Sequence, residues 1–445
     1  MASDLISIAR SGVQTARIAL DVTAQNIANA STEGYVRRSV QLGEVALAGT
    51  RDRVSDMSFS GVRLNAVVRN ADAFRQSEVR RTGSDASRAV AELTGLENIE
   101  TAVEQTGVHQ SIVNFEASLE QLAANPIDPS LRAAVVEDAR TMARTFNIAA
   151  TSLDSVGQGL RFEAADGAAQ VDLLAKELAR VNTSLTRARD GGSDKTVLLD
   201  KRDNLLQQLS EYVDVTTTIG GDGQVEVRIG GPTGPQLVST GTAYGFAMTT
   251  ATDGTIGFTL DGDPVTPLSG SLAGQAQALT KLADVRARLD TIAASVITTV
   301  NAAQANGVAL DGTAGQPMFT GTGAGNIAIA FGDGKLIATA PAGAGANSRD
   351  PANLDALRTA FTNADATGWM DALLFDVSSS VAGRKITLEA LDSIASTARI
   401  ALSAQAGVDL DQEAVNLVRF QQAFQASGRV MQVASDLLDT LIGIR

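Results

Sequence analysis

The sequence predicts a mainly α-helical fold with a small inserted β-rich domain, in which discontinuous helical domains form by pairing of N- and C-terminal segments. Amphipathic heptad stripes occupy both ends of the chain, helix-like stripes fill most of its interior, and a stretch rich in Gly, Thr and Val interrupts them. The 445 residues are 44% hydrophobic but only 4% aromatic. The apolar side chains are therefore mostly Ala, Val, Leu and Ile, which suit helical bundles.

The first element is a helix predicted over about residues 3–30. Four larger apolar residues recur every seven positions, and small residues follow three positions after each: Ile6, Val13, Leu20 and Ile27, then Ala9, Ala16, Thr23 and Ala30. This a/d heptad pattern is typical of a helix that packs against partner helices, and the small side chains allow a close approach. Asn26, Asn29 and Gly34 are expected to end the helix, since Asn and Gly tolerate the left-handed conformation.

The next segments alternate between extended and helical patterns. Residues 35–70 look extended, with a polar loop at 51–61, because apolar and polar residues alternate there. Residues 71–212 are almost wholly helical in pattern. Asn125-Pro126 is expected to break one helix and Asp128-Pro129 to start the next, with Asp as its N-cap. The two glycines of 190–193 are expected to end that helix.

A β-rich insertion is predicted at 213–270, where QVEVRI (224–229) and TIGFTL (255–260) alternate between turn signals. Helices are predicted again at 271–306, 354–361 and 371–407. The glycine-rich stretch between the first two holds two strand candidates, at 326–331 and 335–340.

The last tract repeats the heptad pattern of the first from about Asp409 onward. Its stripe consists of Leu410, Leu417, Phe424, Met431 and Leu438, with Phe420, Ser427, Ala434 and Leu441 as the accompanying set. A single helix of this kind is marginal alone, so the two ends are expected to pair with each other and then with neighbouring copies. We therefore expect an assembly domain of 1–60 with 408–445, a helical domain of 61–212 with 271–407, and an outer β-domain of 213–270.

Composition excludes several classes of function. The net charge of −14 argues against binding to nucleic acid and to anionic membranes. The chain has no Cys and one His, His109, which leaves no thiolate or His-pair metal site. We expect no metal, no cofactor, no small-molecule substrate and no transmembrane span. The N-terminus does not resemble a secretory signal peptide, so a cytosolic location or a signal-peptide-independent route of export is expected.

Few residues suggest catalysis. Asp200, Arg202 and Asp203 fit a solvated helix face of alternating charge better than an acid pair. His109 is expected at a helix surface or an interface, and Trp369 is expected to pack in the helical middle. The Asp-Gly pairs lack the spacing of a calcium loop, and GTGAGN (321–326) lacks the residues of a phosphate loop. No catalytic constellation is predicted.

The segment NIANASTEGYVRRSV (26–40) resembles the N-terminal signature of the bacterial flagellar axial proteins, and Asn26, Asn29, Gly34 and Tyr35 carry the match. Four further segments resemble the hook-associated protein 1 family within that group: 61–74, 198–215, 289–315 and 415–445, the last including Arg419 to Gln422 and the final Ile444-Arg445. Together the matches cover about two-thirds of the chain, but not 213–268.

The resemblance implies a structural protein at the junction of the flagellar hook and filament. It implies export in unfolded form through the flagellar type III apparatus and assembly as a ring of about eleven subunits. The implied partners are other copies of the chain, the hook protein, the second junction protein (hook-associated protein 3) and a flagellar export chaperone. The terminal stripes would be assembly faces, and the ends of a free subunit are expected to be disordered until assembly.

Two alternatives remain open. A hook or distal-rod protein shares the N-terminal signature, although 198–215 and 415–445 argue against it. A secreted enzyme carried on an axial scaffold would place catalysis in the middle domain, against which the scarcity of His, Trp and Cys counts.

Overall fold

Long α-helices form most of the chain in a computed structural model that describes residues 2–32, 34–46, 59–188 and 193–443. Contacts divide the chain into two units. We call residues 1–84, 171–245 and 392–445 the terminal unit, and residues 85–170 and 246–391 the middle unit. These bounds differ from those of the three domains expected from the sequence. The three-domain division stays a prediction about which segments fold independently.

The helices within the described residues are α1 (Ala2–Ala28), α2 (Ala73–Glu104), α3 (Val108–Ala124), α4 (Pro129–Leu185), α5 (Ser193–Tyr212), α6 (Ser271–Ala305), α7 (Ala352–Ala364), α8 (Ala366–Ala406) and α9 (Leu410–Gly443). All the helical stretches predicted from the sequence are present. Asp128 caps α4 as expected, since its Oδ1 accepts from the Ser130 amide at 2.8 Å. Helix α4 ends at Leu185, before the segment 190–193 that was expected to end it, of which 190–192 lie outside the described residues. The polar loop predicted at 51–61 lies outside them up to residue 58, and it is wrong for 59–61, which form a strand.

A two-stranded antiparallel hairpin follows α1. It consists of β1 (Arg38–Ala46) and β2 (Phe59–Arg69), with Arg38 opposite Arg69. The alternation at 35–70 is thus confirmed as strand. The hairpin packs on α1. It places the paired Arg38 and Arg69 at its open end, close to the chain that leaves α1.

The β-rich insertion forms two separate antiparallel sheets, one in each unit. The terminal unit holds β3 (Thr216–Ile219), β4 (Val225–Arg228), β5 (Gln236–Ser239) and β6 (Thr242–Ala243), in that order in the sheet. The middle unit holds β7 (Phe246–Thr250), β8 (Ile256–Leu260) and β9 (Asp263–Val265). The strands predicted at 224–229 and 255–260 are confirmed as β4 and β8.

The glycine-rich segment after α6 forms short pairs of strands. They are β10 (Gly307–Val308) with β13 (Ala340–Pro341), and β11 (Phe319–Thr320) with β12 (Ala328–Ile329). The strand predicted at 335–340 is wrong over most of its length, because Gly334–Leu336 is a 3₁₀ turn closed by the Asp333 side chain. Local Asx capping there outweighs the apolar alternation.

The core of the terminal unit is built around the C-terminal part of α4 and the sheet β3–β6. The predicted stripe on α4 is buried: Val171, Leu174, Leu178, Val181 and Leu185. Asn182, fully buried beside it, donates to the Val225 and Thr240 carbonyls at 2.7 Å each and accepts from the Val225 amide at 2.9 Å. The side-chain amide of Asn182 thus pairs the backbone groups of Val225 and Thr240 that are buried beneath α4.

The middle unit has a larger helical core formed by α3, α4, α6 and α7. The predicted stripe on α6 is buried there: Leu282, Val285, Leu289, Ile292 and Val296. Phe115 packs edge-to-face against Phe319 and Phe361, with ring centroids 6.0 and 5.7 Å away. Among the described residues, no helix has the length and hydropathy that crossing a bilayer requires.

Candidate assembly site of the terminal unit

Helices α1 and α9, from opposite ends of the chain, pack against each other. The buried face of α1 consists largely of small residues, among them Ala9, Ala16 and Ala19, and Ala434 is buried on α9. At Gly12 a Cβ atom would lie 2.7 Å from the Ser427 Oγ, so the two backbones approach closely there. The small residues that follow each larger apolar residue in the α1 heptads therefore lie on the side of α1 that α9 approaches.

The larger apolar residues of both stripes are only partly covered. Ile6, Val13, Leu20 and Ile27 are each half-buried on α1, and Leu417, Phe420, Met431 and Leu438 are half-buried on α9. Leu410 and Phe424 remain 54% and 39% exposed. Leu441 lies in α9, but its side chain is outside the described set. Their proposed role in assembly stays a prediction, since burial within one chain covers only part of them.

Helix α9 carries a second apolar face that nothing in the described chain covers. It consists of Val415, Val418, Val430, Val433 and Leu437, all at least 45% exposed. At 100° per residue these five side chains fall within one third of the helix circumference, on the side opposite Glu413, and they are interspersed with Arg419, Gln422 and Arg429. An ordinary globular helix has apolar residues on one side, whereas α9 has them on two.

Asn26, at the end of α1, uses its whole hydrogen-bonding capacity in a buried position. Its Nδ2 donates to the Arg38 carbonyl at 2.9 Å and to Glu413 Oε2 at 3.2 Å. Its Oδ1 accepts from the Arg38 amide at 3.0 Å and from the Tyr35 hydroxyl at 2.9 Å. Asn26 therefore fixes the return of the chain toward β1 and joins it to α9.

The other two residues of the motif shape the turn after α1. The Asn29 side chain donates to the Gln25 carbonyl at 2.9 Å and accepts from the Thr32 hydroxyl, which closes the helix end. Gly34 has φ +75°, and a Cβ atom there would lie 3.1 Å from the Asn204 Nδ2 on α5. Three of the four motif residues thus contact other elements, and Asn29 acts locally.

Glu413 is the point at which α9 meets the motif. Glu413 is 1% exposed, and its Oε1 lies 2.7 Å from Arg37 Nε. Together with the bond from Asn26, both carboxylate oxygens have partners. The Arg37 amide also donates to the Ala406 carbonyl at the end of α8. The first segment after α1 is therefore fastened to the start of the last helix.

The acidic residues of α5 are not a solvated face, so that prediction is wrong. Asp200 accepts from Arg38 at 2.9 Å and from Arg69 at 2.8 Å. Asp203 is buried and accepts from Arg69 at 2.7 Å and from Arg202, itself buried. Three elements meet in this ion-pair network: β1 contributes Arg38, β2 contributes Arg69, and α5 contributes both acids and Arg202.

Burial by itself raises the pKa of Asp203, but the charges of Arg202 and Arg69 and their hydrogen bonds outweigh it and hold the pKa below its usual value. Burial raises the pKa of Tyr35, against the opposing charge of Arg38. Arg38 also lies over the Tyr35 ring, with the guanidinium carbon 5.2 Å from the centroid. The charges of this network are thus buried and paired with one another.

Two single residues singled out in the sequence lie in the middle unit. His109 lies half-exposed on α3 with its Nε2 3.0 Å from Asp371 Oδ1, as expected of a surface residue. Trp369 is 58% exposed on α8, so its predicted packing is wrong. Among the described residues no cluster of three or more His, Cys, Asp or Glu is arranged to hold a metal ion.

Comparison with known families matches three stretches of the chain. Residues 93–319 match the flagellar hook-associated protein FlgK helical domain. Residues 403–444 match the C-terminal domain of the flagellar basal body rod FlgEFG proteins, and residues 6–35 match the flagella basal body rod protein. The two terminal matches coincide with α9 and α1, the helices that pack together.

Similar proteins carry the same name. The flagellar hook-associated protein 1 of Bacillus subtilis strain 168 is 25% identical over 98% of this chain and 97% of its own. That of Escherichia coli K12 is 24% identical over 57% of this chain and 48% of its own. A solved structure, the flagellar hook junction protein FlgK from Burkholderia pseudomallei, has a TM-score of 0.50 and 23% identity over 55% of this chain and 46% of that one. That likeness supports the fold.

Proposed function

Since this chain belongs to the flagellar hook-associated protein FlgK family, a family of structural components of the flagellum, we propose that it joins hook to filament by polymerising into a ring through its terminal helices. The observation that carries the proposal is the second apolar face of α9, exposed while the first face packs on α1. A helix with two apolar faces needs a second partner.

The energetics favour a neighbouring copy as that partner. Fully burying an exposed Val or Leu side chain contributes about 1.5–3 kcal/mol. The five residues of this face are 45–63% exposed, so each can contribute about half of that toward the cost of association. The half-buried stripes of α1 and α9 add apolar area next to it. In a ring, each subunit would present this face to the next one by the same rotation.

The proposed partners follow from the proposed position. On one side the ring would contact the hook protein, and on the other the second junction protein, hook-associated protein 3. Before export, a flagellar chaperone would cover the apolar residues of the C-terminal helix, and the chain would then pass unfolded through the flagellar type III apparatus. We propose a purely structural role without catalysis, supported by a network in which the buried charges are paired with each other.

Labelled electron microscopy of purified flagella tests the position. The proposal expects the label as one band between hook and filament. A label along the whole hook or in the rod would contradict it and favour the hook or distal-rod alternative.

A pair of neighbouring substitutions tests the surface. Val433→Asp places a charge on the exposed apolar face, where an interface would bury it without a partner. Gln432→Asp places the same charge on a different, exposed face of α9 and serves as control. The proposal expects cells that carry Val433→Asp to lack flagellar filaments and cells that carry Gln432→Asp to keep them. Circular dichroism should show that both purified proteins are folded. Equal assembly of both variants would refute the role of this face.

A further inference from the structure

Helices α2 and α6 touch directly in the middle unit, where Gly95 of α2 packs against α6. Helix α4 packs on this pair through Leu160, which contacts α2, and Gly157, which contacts α6. At 100° per residue, Ile148 and Phe162 lie on the opposite side of α4, and they are 55% and 77% exposed. The residues between them on that side are small: Thr151, Ser155 and Gly159. We call this side the outer face of α4.

Helix α8 packs on the same pair, since Arg384 hydrogen-bonds to α2 and Asp376 to α6. Phe375 and Ile386 lie on the side of α8 opposite the buried Val377, and they are 75% and 70% exposed. Again the residues between them on that side are small: Ser379 and Ala382. We call this side the outer face of α8.

The two outer faces lie at matching heights and point apart. The bonds from α8 to Glu92 and Glu100 set α8 antiparallel to α2. They place Ala382 level with Gly95, which meets Leu160 of α4. The contacts through α6 give the same offset within about one residue. Two helices at one height cannot share a side of the α2–α6 pair, so α4 and α8 lie on opposite sides of it.

The proposed assembly needs more contact than α9 supplies. The five half-exposed side chains of α9 offer on the order of 200 Å² of apolar area. A stable interface buries about 800 Å² on each partner, about 450 Å² of it apolar. The outer faces of α4 and α8 each add on the order of 200 Å². Both contacts together therefore approach the apolar area that a stable interface requires.

We propose that the outer face of α4 in one copy packs on the outer face of α8 in the next copy of the ring, an inference that rests on the proposed self-assembly. A ring requires a head-to-tail contact between two different faces. Rotation about an axis along these helices keeps each residue at its height. Phe375 then enters the gap between Ile148 and Phe162, and Ile386 comes level with the turn after Phe162. The large side chains thus alternate, as in interlocking helix surfaces.

Charges at the borders of the two faces give a first test of the register. Arg144 and Asp166 border the outer face of α4, and Asp371, Lys385 and Glu389 border that of α8. In the proposed register the like charges Asp166 and Glu389 come level. Glu389→Lys should therefore lower the protein concentration needed for assembly by about threefold, and adding Asp166→Lys should cancel the gain. A gain that persists in the double variant would contradict the register.

Cysteine cross-linking tests which faces meet, since the chain has no Cys of its own. Gly159→Cys and Ala382→Cys are made in separate full-length proteins, because these positions come within about 3 Å in height in the proposed contact. Thr94→Cys, at the height of Ala382 but on α2, is the control. A short bismaleimide should join Gly159→Cys to Ala382→Cys as dimers. It should leave each variant alone, and the mixture of Gly159→Cys with Thr94→Cys, unjoined.

Sedimentation measures what the contact contributes to assembly. Phe162→Asp and Phe375→Asp are each expected to raise the protein concentration needed for assembly by about tenfold. Val90→Asp, 49% exposed on α2, should leave it unchanged. An equal mixture of Phe162→Asp and Phe375→Asp should form one-to-one dimers, because each variant keeps the face that the other lacks. Circular dichroism checks folding, and the cysteine variants decide the matter if an Asp variant is unfolded.

Each other outcome is also decisive. Cross-linking of Ala382→Cys with itself would overturn the head-to-tail contact. An assembled mixture without a link between Gly159→Cys and Ala382→Cys, or equal assembly of Phe375→Asp and Val90→Asp, would overturn the inference and leave the proposed function standing. If the unmodified protein does not assemble, the proposed function fails, and cross-linking of the concentrated mixture still decides whether the two faces meet.

Discussion

Arg37 and Glu413 form an ion pair across the two ends of the chain, with 2.7 Å between Arg37 Nε and Glu413 Oε1. The two residues are 376 positions apart. Asn26 donates to the other carboxylate oxygen of Glu413, so one buried acid is shared by the motif after α1 and by α9. The pair makes the first and last segments parts of one folded body.

Replacing Glu413 should therefore loosen the terminal unit. Glu413→Ala leaves Asn26 and Arg37 without an acceptor, and we expect a loss of about 2–3 kcal/mol, less than for a fully buried pair because Arg37 is partly exposed. Urea unfolding followed by circular dichroism measures it. Asp411→Asn, an exposed acid on the same helix, should change stability by less than about 0.5 kcal/mol. Equal effects in both variants would contradict the shared role.

Gly34 is required by its backbone conformation. Its φ of +75° and the closeness of Asn204 mean that Gly34→Ala should cost about 1–2 kcal/mol. Gly383, within α8 with open space around its Cβ position, is the control, and Gly383→Ala should stabilise by up to about 1 kcal/mol. Denaturation midpoints of the two variants should move in opposite directions. A neutral Gly34→Ala would show that the turn can relax.

Asp203 should make stability depend on acidity. Its pKa in the folded chain is lowered, so its contribution is fully present above the unfolded value of about 3.9 and is lost as pH falls through the folded value below it. The free energy of unfolding should decrease below about pH 4 more steeply in the unmodified protein than in Asp203→Asn. Parallel pH profiles would contradict the pairing with Arg69 and Arg202.

Arg132 should be the most sensitive cation of the middle unit. It is 1% exposed and donates to the carbonyls of Pro126, Gly334 and Ile337 and to the Thr339 hydroxyl. Burial lowers its pKa to about 10, so it stays charged at neutral pH. Arg132→Met should cost about 3 kcal/mol or more by leaving these acceptors unpaired.

Arg140 supplies the control for that measurement. It lies on the same helix and pairs with Glu137 at the surface, so Arg140→Met should cost less than about 1 kcal/mol. Hydrogen exchange should further show the 3₁₀ turn at Gly334–Leu336 opening in Arg132→Met alone. Unchanged exchange there would mean that Arg132 does not hold the turn.

Periodicity predicted the helices and the hairpin well, because the spacing of apolar residues is a local property of the sequence. It also located the buried stripes of α4 and α6. In α1 the small residues Ala9 and Ala16 are buried within the chain, while the larger Ile6 and Val13 are half-buried. Which side of the apolar stripe of α1 is buried depends on where α9 packs, and periodicity alone does not predict that.

The ion-pair network could not be predicted from the sequence. Asp200 and Asp203 are hydrophilic, and their burial depends on ion pairs with the distant Arg38 and Arg69 as well as with the neighbouring Arg202. Burial of charge depends on partners brought by the fold. Arg37 and Arg38 lie in the segment 26–40, whose resemblance to the axial proteins was carried by Asn26, Asn29, Gly34 and Tyr35. Their two charges beside that motif hinted that acidic partners lie nearby.

Hydrogen exchange measured on free subunits and on assembled rings tests the central claim most directly. The account predicts that peptides from α1 and α9, above all those containing Val418, Val430 and Val433, gain strong protection on assembly, while those from the middle-unit core do not change. Strong protection of both ends in the free subunit would refute the disorder before assembly expected from the sequence, and would show that the contacts of Asn26, Arg37 and Glu413 form within a single chain. Assembled protein in which 410–443 exchanges as in the free subunit would contradict polymerisation through the terminal helices.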